Sequence, residues 1–125
     1  MEIRFTQREL DIMNVLWSRG PSTVAEVRDA LEDELAHNTV LTMFKVMEGK
    51  GYVSRRREGR AHRYAPEVAR DVAGVSALGR MTEHLFGGSP SELLLRLVDS
   101  GLDEDELRRM RDLLDRRLED MEDDR

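Results

Sequence analysis

Cysteine is absent from the 125 residues, which excludes disulfides, thiolate chemistry and Cys-based metal sites. No apolar run approaches the length of a membrane span, and the N-terminus has no signal-peptide core; the expectation is a cytoplasmic chain with no membrane insertion. The three histidines, His37, His62 and His84, have no metal-ligand spacing between them. No nucleophile motif or phosphate-cradling glycine loop is present, so no catalytic residue, metal site or cofactor is expected. Internal repeats are missing, and the one biased tract is the charged stretch over residues 119–125. Aromatics make up only 5% of the chain. The sole tryptophan, Trp17, falls at core spacing on a helix.

Charge is abundant but unevenly placed. Charged residues are 37% of the chain, apolar residues 39%, and the net charge is −6, the balance of a helical protein with highly charged faces. Uniform acidity would argue against nucleic acid. Residues 1–66, however, carry eleven basic and ten acidic groups, and residues 67–125 carry nine and sixteen. Within residues 45–63 there are seven Lys and Arg against two Glu, a local net of +5. A domain of residues 1–66 and a second, acidic region of residues 67–125 follow from this split, the latter suited to self-association or solubility.

Residues 1–5 read as a short strand or a loop. Thr6-Gln7-Arg8-Glu9 and Thr23-Val24-Ala25-Glu26 are capping boxes, each starting a helix. The first places Leu10, Met13, Leu16 and Trp17 inward and ends at Gly20-Pro21. The second turns Val24, Val27, Leu31 and Leu35 inward, with Asp29, Glu32, Asp33 and Glu34 outward. A third helix opens with Asn38 as cap and repeats Val40, Met43, Phe44 and Met47 on its buried face. Gly49 and Gly51 stop it, Gly51 being the better candidate for the left-handed residue.

Residues 53–57 and 60–64 then flank Glu58-Gly59 as a tight hairpin. Helix, connection, helix and arginine-rich ribbon form a winged helix-turn-helix. The third helix, exposing Asn38, Thr39, Thr42 and Lys45, is placed to read a major groove. Lys50 and the wing arginines Arg55, Arg56, Arg57, Arg60 and Arg63 are placed to grip phosphates of double-stranded DNA.

Beyond Pro66, residues 67–86 read as one long helix broken by Gly87-Gly88. Ser89-Pro90-Ser91-Glu92 is a third capping box, with Pro at the first helical position. The helix it opens is apolar on most sides and should be buried nearly all round, which in so short a chain calls for a partner subunit. Asp103 caps the last helix. A dimer seam is expected along Leu94, Leu97, Leu107, Met110, Leu114, Leu118 and Met121, with Leu113 broadening the stripe. The fold class is therefore mainly α with a small β-wing, a winged helix followed by a C-terminal helical dimerisation region.

Taken in order, Thr6-x-x-Glu9-x-x-Ile12-Met13-x-x-Leu16-Trp17, Thr39-Val40-x-Thr42, Lys50-Gly51-Tyr52, Glu58-Gly59-Arg60, Tyr64-x-Pro66 and Phe86-Gly87-Gly88 resemble the penicillinase-repressor family of bacterial winged-helix regulators over nearly the whole chain. The resemblance implies a homodimeric repressor on a palindromic operator, with Asn38, Thr39 and Thr42 reading bases. In β-lactam-responsive relatives a membrane sensor protease cuts an Asn-Phe bond in the dimerisation region. The corresponding bond here is Arg96-Leu97. Copper-sensing relatives have a cysteine-rich C-terminus, which this chain lacks. Leu41 and Val46 stand where relatives often carry basic residues, implying a different operator or fewer phosphate contacts.

Two other uses of the same fold fit the sequence less well. A protein-interaction module would carry an apolar or acidic third helix, unlike Thr39, Thr42 and their basic neighbours. A small-ligand-sensing repressor would have a pocket near the dimer junction, with Met81, Leu85 and Phe86 as candidate lining.

Overall fold

The computed structural model describes residues 2–125. They divide into two compact units, Met1–Leu78 and Gly79–Arg125.

In the first unit, α1 (Gln7–Arg19) is followed by β1 (Ser22–Thr23), α2 (Val24–Ala30), α3 (His37–Gly49), β2 (Val53–Glu58) and β3 (Ala61–Pro66). Of the three expected capping boxes, the two in this unit close. The Thr6 N–H donates to the Glu9 carboxylate at 2.8 Å and the Thr23 N–H to Glu26 at 3.1 Å, each answered by a bond back to the threonine hydroxyl. Residues 2–6 precede α1 as irregular backbone, and Met1 lies outside the described residues.

The core is built from Ile12, Met13 and Leu16 of α1, Val27 of α2, Val40, Phe44 and Met47 of α3, and Tyr64 of β3, all essentially inaccessible. Phe44 and Tyr64 stack with ring centroids 4.1 Å apart, fastening α3 to the central strand. Ile12, rather than Leu10 or Trp17, lies at the centre of the α1 face; those two are half-buried at its margins. Trp17 instead donates its indole N–H to the Val68 carbonyl at 2.8 Å.

Four local expectations change. Ala36, not Asn38, is the N-cap of α3, with no side-chain cap bond; the helix begins at His37 because the Thr39 and Val40 N–H groups already bond the Ala36 carbonyl. Helix α2 stops at Ala30, since Leu31 takes an extended conformation. Leu31 and Leu35 still pack on the core, but from the connecting loop. The hairpin turn is Gly59-Arg60, because Glu58 pairs with Ala61. With φ +62° at Gly59 and none positive at Arg60, the turn has the glycine-first pattern of type II′, whose twist suits a hairpin. The two-residue strand β1 was not anticipated: Ser22 pairs with Tyr64 and Thr23 with Arg63, giving a three-stranded antiparallel sheet in the order β1-β3-β2.

Helix α4 (Arg70–Leu85) is shorter than the expected 67–86. In the second unit α5 (Pro90–Val98) and α6 (Glu104–Asp123) follow. Ser89 accepts from the Glu92 N–H at 3.2 Å, while the Glu92 carboxylate pairs with Arg96. Asp103 caps α6 by accepting from the Glu106 N–H at 2.8 Å. Neither helix has a buried residue in the single chain, so the expected all-round burial of α5 is not achieved within one copy. Among the described residues no helix is long and apolar enough to cross a membrane.

Candidate nucleic-acid interface

The candidate interface begins with the way α3 ends. Gly51 takes φ +82°, the Tyr52 N–H reaches back to the Met47 carbonyl at 3.0 Å and the Gly51 N–H to Glu48 at 3.0 Å. This pair of bonds is the Schellman arrangement, which needs a left-handed residue where glycine has no steric cost. It turns the chain sharply from α3 into β2, so the wing leaves directly beside the helix.

Core residues Val40, Phe44 and Met47 occupy one side of α3, which turns the opposite side outward. There Asn38, Thr39, Thr42 and Lys45 are all exposed, together with Val46. The Thr42 hydroxyl donates to the Asn38 carbonyl at 2.8 Å. Lys45 forms no ion pair among the described residues.

The basic residues sort into two groups. Lys50 donates to the Glu9 carboxylate at 2.9 Å, and Arg55 lies 3.3 Å from Glu48 on α3. Arg63 is the most engaged. Its guanidinium reaches the Pro21 carbonyl at 2.9 Å, Glu26 at 3.0 Å and Glu58 at 2.5 Å, with only 26% of the side chain exposed. Because Glu26 also caps α2 and binds Arg19, this cluster locks the wing to α1, β1 and α2. Arg56 and Arg60 have no ion pair among the described residues, and Arg57 reaches only the Gly59 carbonyl of its own turn, at 3.3 Å. The hairpin register places Arg56 opposite Arg63 and Arg57 opposite His62.

The pairs shift the titration of their members. Burial works to raise the Glu9 carboxyl, but bonds from Thr6 and Lys50 outweigh it and hold the group below its ordinary value of 4.5. The hydrogen bond to Glu9 in turn raises Lys50. Glu26 is lowered chiefly by its Thr23 cap bonds, and Glu58 chiefly by Arg63. All of these side chains are thus charged near neutrality, and the pairing is permanent there. Among the described residues there is no cluster of three or more acidic or histidine side chains placed to hold a metal ion.

The proposed dimer residues lie elsewhere, on the outer faces of α5 and α6. Leu94, Leu97, Leu107, Leu114, Leu118 and Met121 are exposed and Met110 half-exposed in the single chain, alongside Leu113 and Leu95. Exposed aliphatic side chains in such number form a surface that water does not favour.

Comparison with known proteins agrees with this geometry. A family model described as Penicillinase repressor matches residues 5–116. The chain is 41% identical over 115 residues to the Transcriptional regulator BlaI of Mycobacterium tuberculosis, covering 85% of this chain and 81% of that one. It is 27% identical over 96 residues to an uncharacterized 16.5 kDa protein of Latilactobacillus sakei, covering 75% of this chain and 66% of the relative. Among solved structures, a MarR family protein from Bacillus stearothermophilus superposes with a TM-score of 0.55 at 19% identity, over 95% of this chain and 76% of that one. That likeness establishes the winged-helix fold.

Proposed function

Since the chain belongs to the penicillinase repressor family, whose members are transcriptional regulators and not enzymes, we propose that it acts as a homodimeric repressor. Its α3 enters the major groove of a palindromic operator and its wing holds the flanking phosphates. The observation that carries this reading is the outward face of α3, with Asn38, Thr39, Thr42 and Lys45 exposed beside Arg56, Arg57 and Arg60, cations without an ion pair among the described residues. Thr39 and Thr42 have short side chains, so α3 must lie deep in the groove for them to reach base edges or a thymine methyl. Lys50, Arg55 and Arg63 hold the reader and wing in place and reach phosphate only by leaving their carboxylates.

Residues 1–66 supply DNA binding and residues 67–125 the dimer. The exposed leucines of α5 and α6 cover one another across a twofold axis, which removes the apolar surface described above. Two readers so related require half-sites one helical turn apart, roughly 34–36 Å, or a multiple of it. Arg96-Leu97, exposed on α5, stands in place of the Asn-Phe bond cut in β-lactam-responsive relatives, so ending repression by a membrane sensor protease would require a different bond specificity here.

Fluorescence anisotropy with a duplex from the upstream region of the chain's own gene and a scrambled duplex, at two salt concentrations, tests the reading. Tight binding to the first, with weak and strongly salt-dependent binding to the second, is expected. Equal, weak binding to both at low salt contradicts sequence-specific repression.

A further inference from the structure

Val46, on α3, is 50% exposed. Among the described residues that precede α4 it is the only large apolar side chain left exposed; Leu41 and Met43 on the same helix pack half-buried against the core. A lone aliphatic residue at a protein surface is ordinary. This one stands within the face that carries Thr39, Thr42 and Lys45. It follows Thr42 by four residues and Thr39 by seven, the intervals of a single line along a helix. Phe44 and Met47, both fully buried, hold the opposite side of α3 against the core.

Valine and threonine share one branched shape. With α3 along the groove, a depth that brings Thr42 to the base edges brings Val46 there as well, about 6 Å farther on, near two base steps of about 3.4 Å each. Gly49 is the next residue on the same line and is exposed. Its φ is not positive, and an added Cβ would meet nothing of the chain within 4 Å. Nothing inside the chain therefore calls for glycine there, and its missing side chain leaves the end of the helix beside Val46 free to approach closely. A β-branched side chain in a helix keeps essentially one rotamer, so the Val46 methyls are already in position before DNA arrives.

The chemistry then selects the base. Val46 offers no hydrogen-bonding atom, and a donor or acceptor of a base pressed against it would lose its water without gaining a partner. The base edges of the major groove present donors, acceptors and one apolar group, the C5-methyl of thymine. We propose that Val46 is a specificity-determining residue that selects a thymine in each half-site by packing against that methyl. This contact rests on the reading of α3 as the groove-entering helix, and adds to it the identity of one base.

The experiment selects duplexes from a random-sequence pool with wild type, Val46→Ala and Thr42→Ala, and then measures anisotropy on the preferred duplex with each thymine replaced in turn by deoxyuridine, which removes only the methyl. Val46 is no part of the core, so Val46→Ala keeps the fold. Wild type should prefer thymine at one position per half-site, about two base pairs from the position where Thr42→Ala loses its preference. Deoxyuridine there should weaken wild-type binding about fourfold per half-site, the effect of one buried methyl group. Val46→Ala should bind the thymine and deoxyuridine duplexes alike and keep its other preferences. A deoxyuridine penalty that survives in Val46→Ala, or no position at which deoxyuridine matters, overturns the contact. So does a loss in Val46→Ala that is equal on every sequence, which would place the side chain against sugar or phosphate. Gly49→Ala should unfold in urea no earlier than wild type and yet bind the preferred duplex more weakly; full affinity overturns the close approach on which the contact depends. A pool that yields no preferred sequence overturns the repressor reading and this contact with it, whereas selection retained without the thymine overturns the contact alone.

Discussion

Lys50 and Glu9 form a test of how the reader is held. Glu9 is only 5% exposed, whereas the Lys50 side chain is 41% exposed. The two partners should therefore respond unequally to deletion. Lys50→Met leaves a nearly buried carboxylate with its Thr6 bond but without its cation, losing a hydrogen bond between charged groups, about 2 kcal/mol. Glu9→Gln keeps an acceptor for the Thr6 N–H and frees an ammonium that can turn to water, so about 1 kcal/mol is expected. In the double variant no charge is stranded, and its cost should return to about 1 kcal/mol rather than the sum of about 3. Urea unfolding followed by circular dichroism, at one protein concentration so that association does not intrude, measures all three. Additivity within about 0.5 kcal/mol would refute the coupling.

The same pair sets a pH dependence. The folded carboxyl of Glu9 lies below its ordinary 4.5. Its contribution is therefore complete above that value and is lost as pH falls through the lower folded one. The stability gap between wild type and Glu9→Gln should narrow as pH falls below 4.5 and through the lower folded value; a constant gap would show that Glu9 titrates alike in both states. DNA binding by folded Lys50→Met should keep the wild-type salt slope, while a loss of about 1.8 in slope, from the two Lys50 of a dimer, would place Lys50 on a phosphate.

Arg56→Ala should weaken binding to all DNA sequences alike in the anisotropy assay, whereas Thr42→Ala should blunt discrimination and spare non-specific affinity; loss of specific binding alone in both variants would contradict the division of roles. With four unpaired cations per protomer (Lys45, Arg56, Arg57 and Arg60), a dimer should show a log-log salt slope of about −7, against about −13 if all seven basic residues of the segment met phosphates. Leu114→Asp, at a position 50% exposed in the single chain, should shift sedimentation toward the monomer and reduce operator affinity, and an unchanged sedimentation coefficient would remove α6 from the interface. Gly51→Ala, at φ +82°, should cost about 1 kcal/mol in urea unfolding.

Much of the fold was legible because local chemistry and tertiary packing agree. The threonine-glutamate boxes that open α1 and α2 and the glycine that ends α3 satisfy backbone groups whatever surrounds them. Signals that depend on more distant partners were not legible. Strand β1 is two residues long and exists because β3 lies beside it, so neither alternation nor propensity marks it. Asn38 is a good cap by type, yet the helix begins one residue before it, since α2 stops at Ala30 and the loop delivers Ala36 to that position. The turn moved by one residue because Gly59 takes the first central place of the hairpin, and that shift decides which arginines face one another. A cavity at the wing root was invisible for the same reason: of its lining residues, Val24, Leu41 and Tyr64 come from three separate elements and Arg60 from the turn between two strands.

Charge counting shows the limit most clearly. The sequence places a net of +5 over residues 45–63, as if all of it were available to a polyanion. In the folded chain Lys50, Arg55 and Arg63 are tied to Glu9, Glu48, Glu26 and Glu58, and two of those carboxylates lie outside the counted segment, on α1 and α2. A paired guanidinium contributes little field at a distance but fixes a geometry, and an unpaired one does the reverse. Those four carboxylates are therefore not an obstacle to nucleic-acid binding. Glu9 and Glu26 cap the two helices that support the reader and anchor its basic neighbours. Lys45, Arg56, Arg57 and Arg60 are left as a compact positive edge held in register with α3.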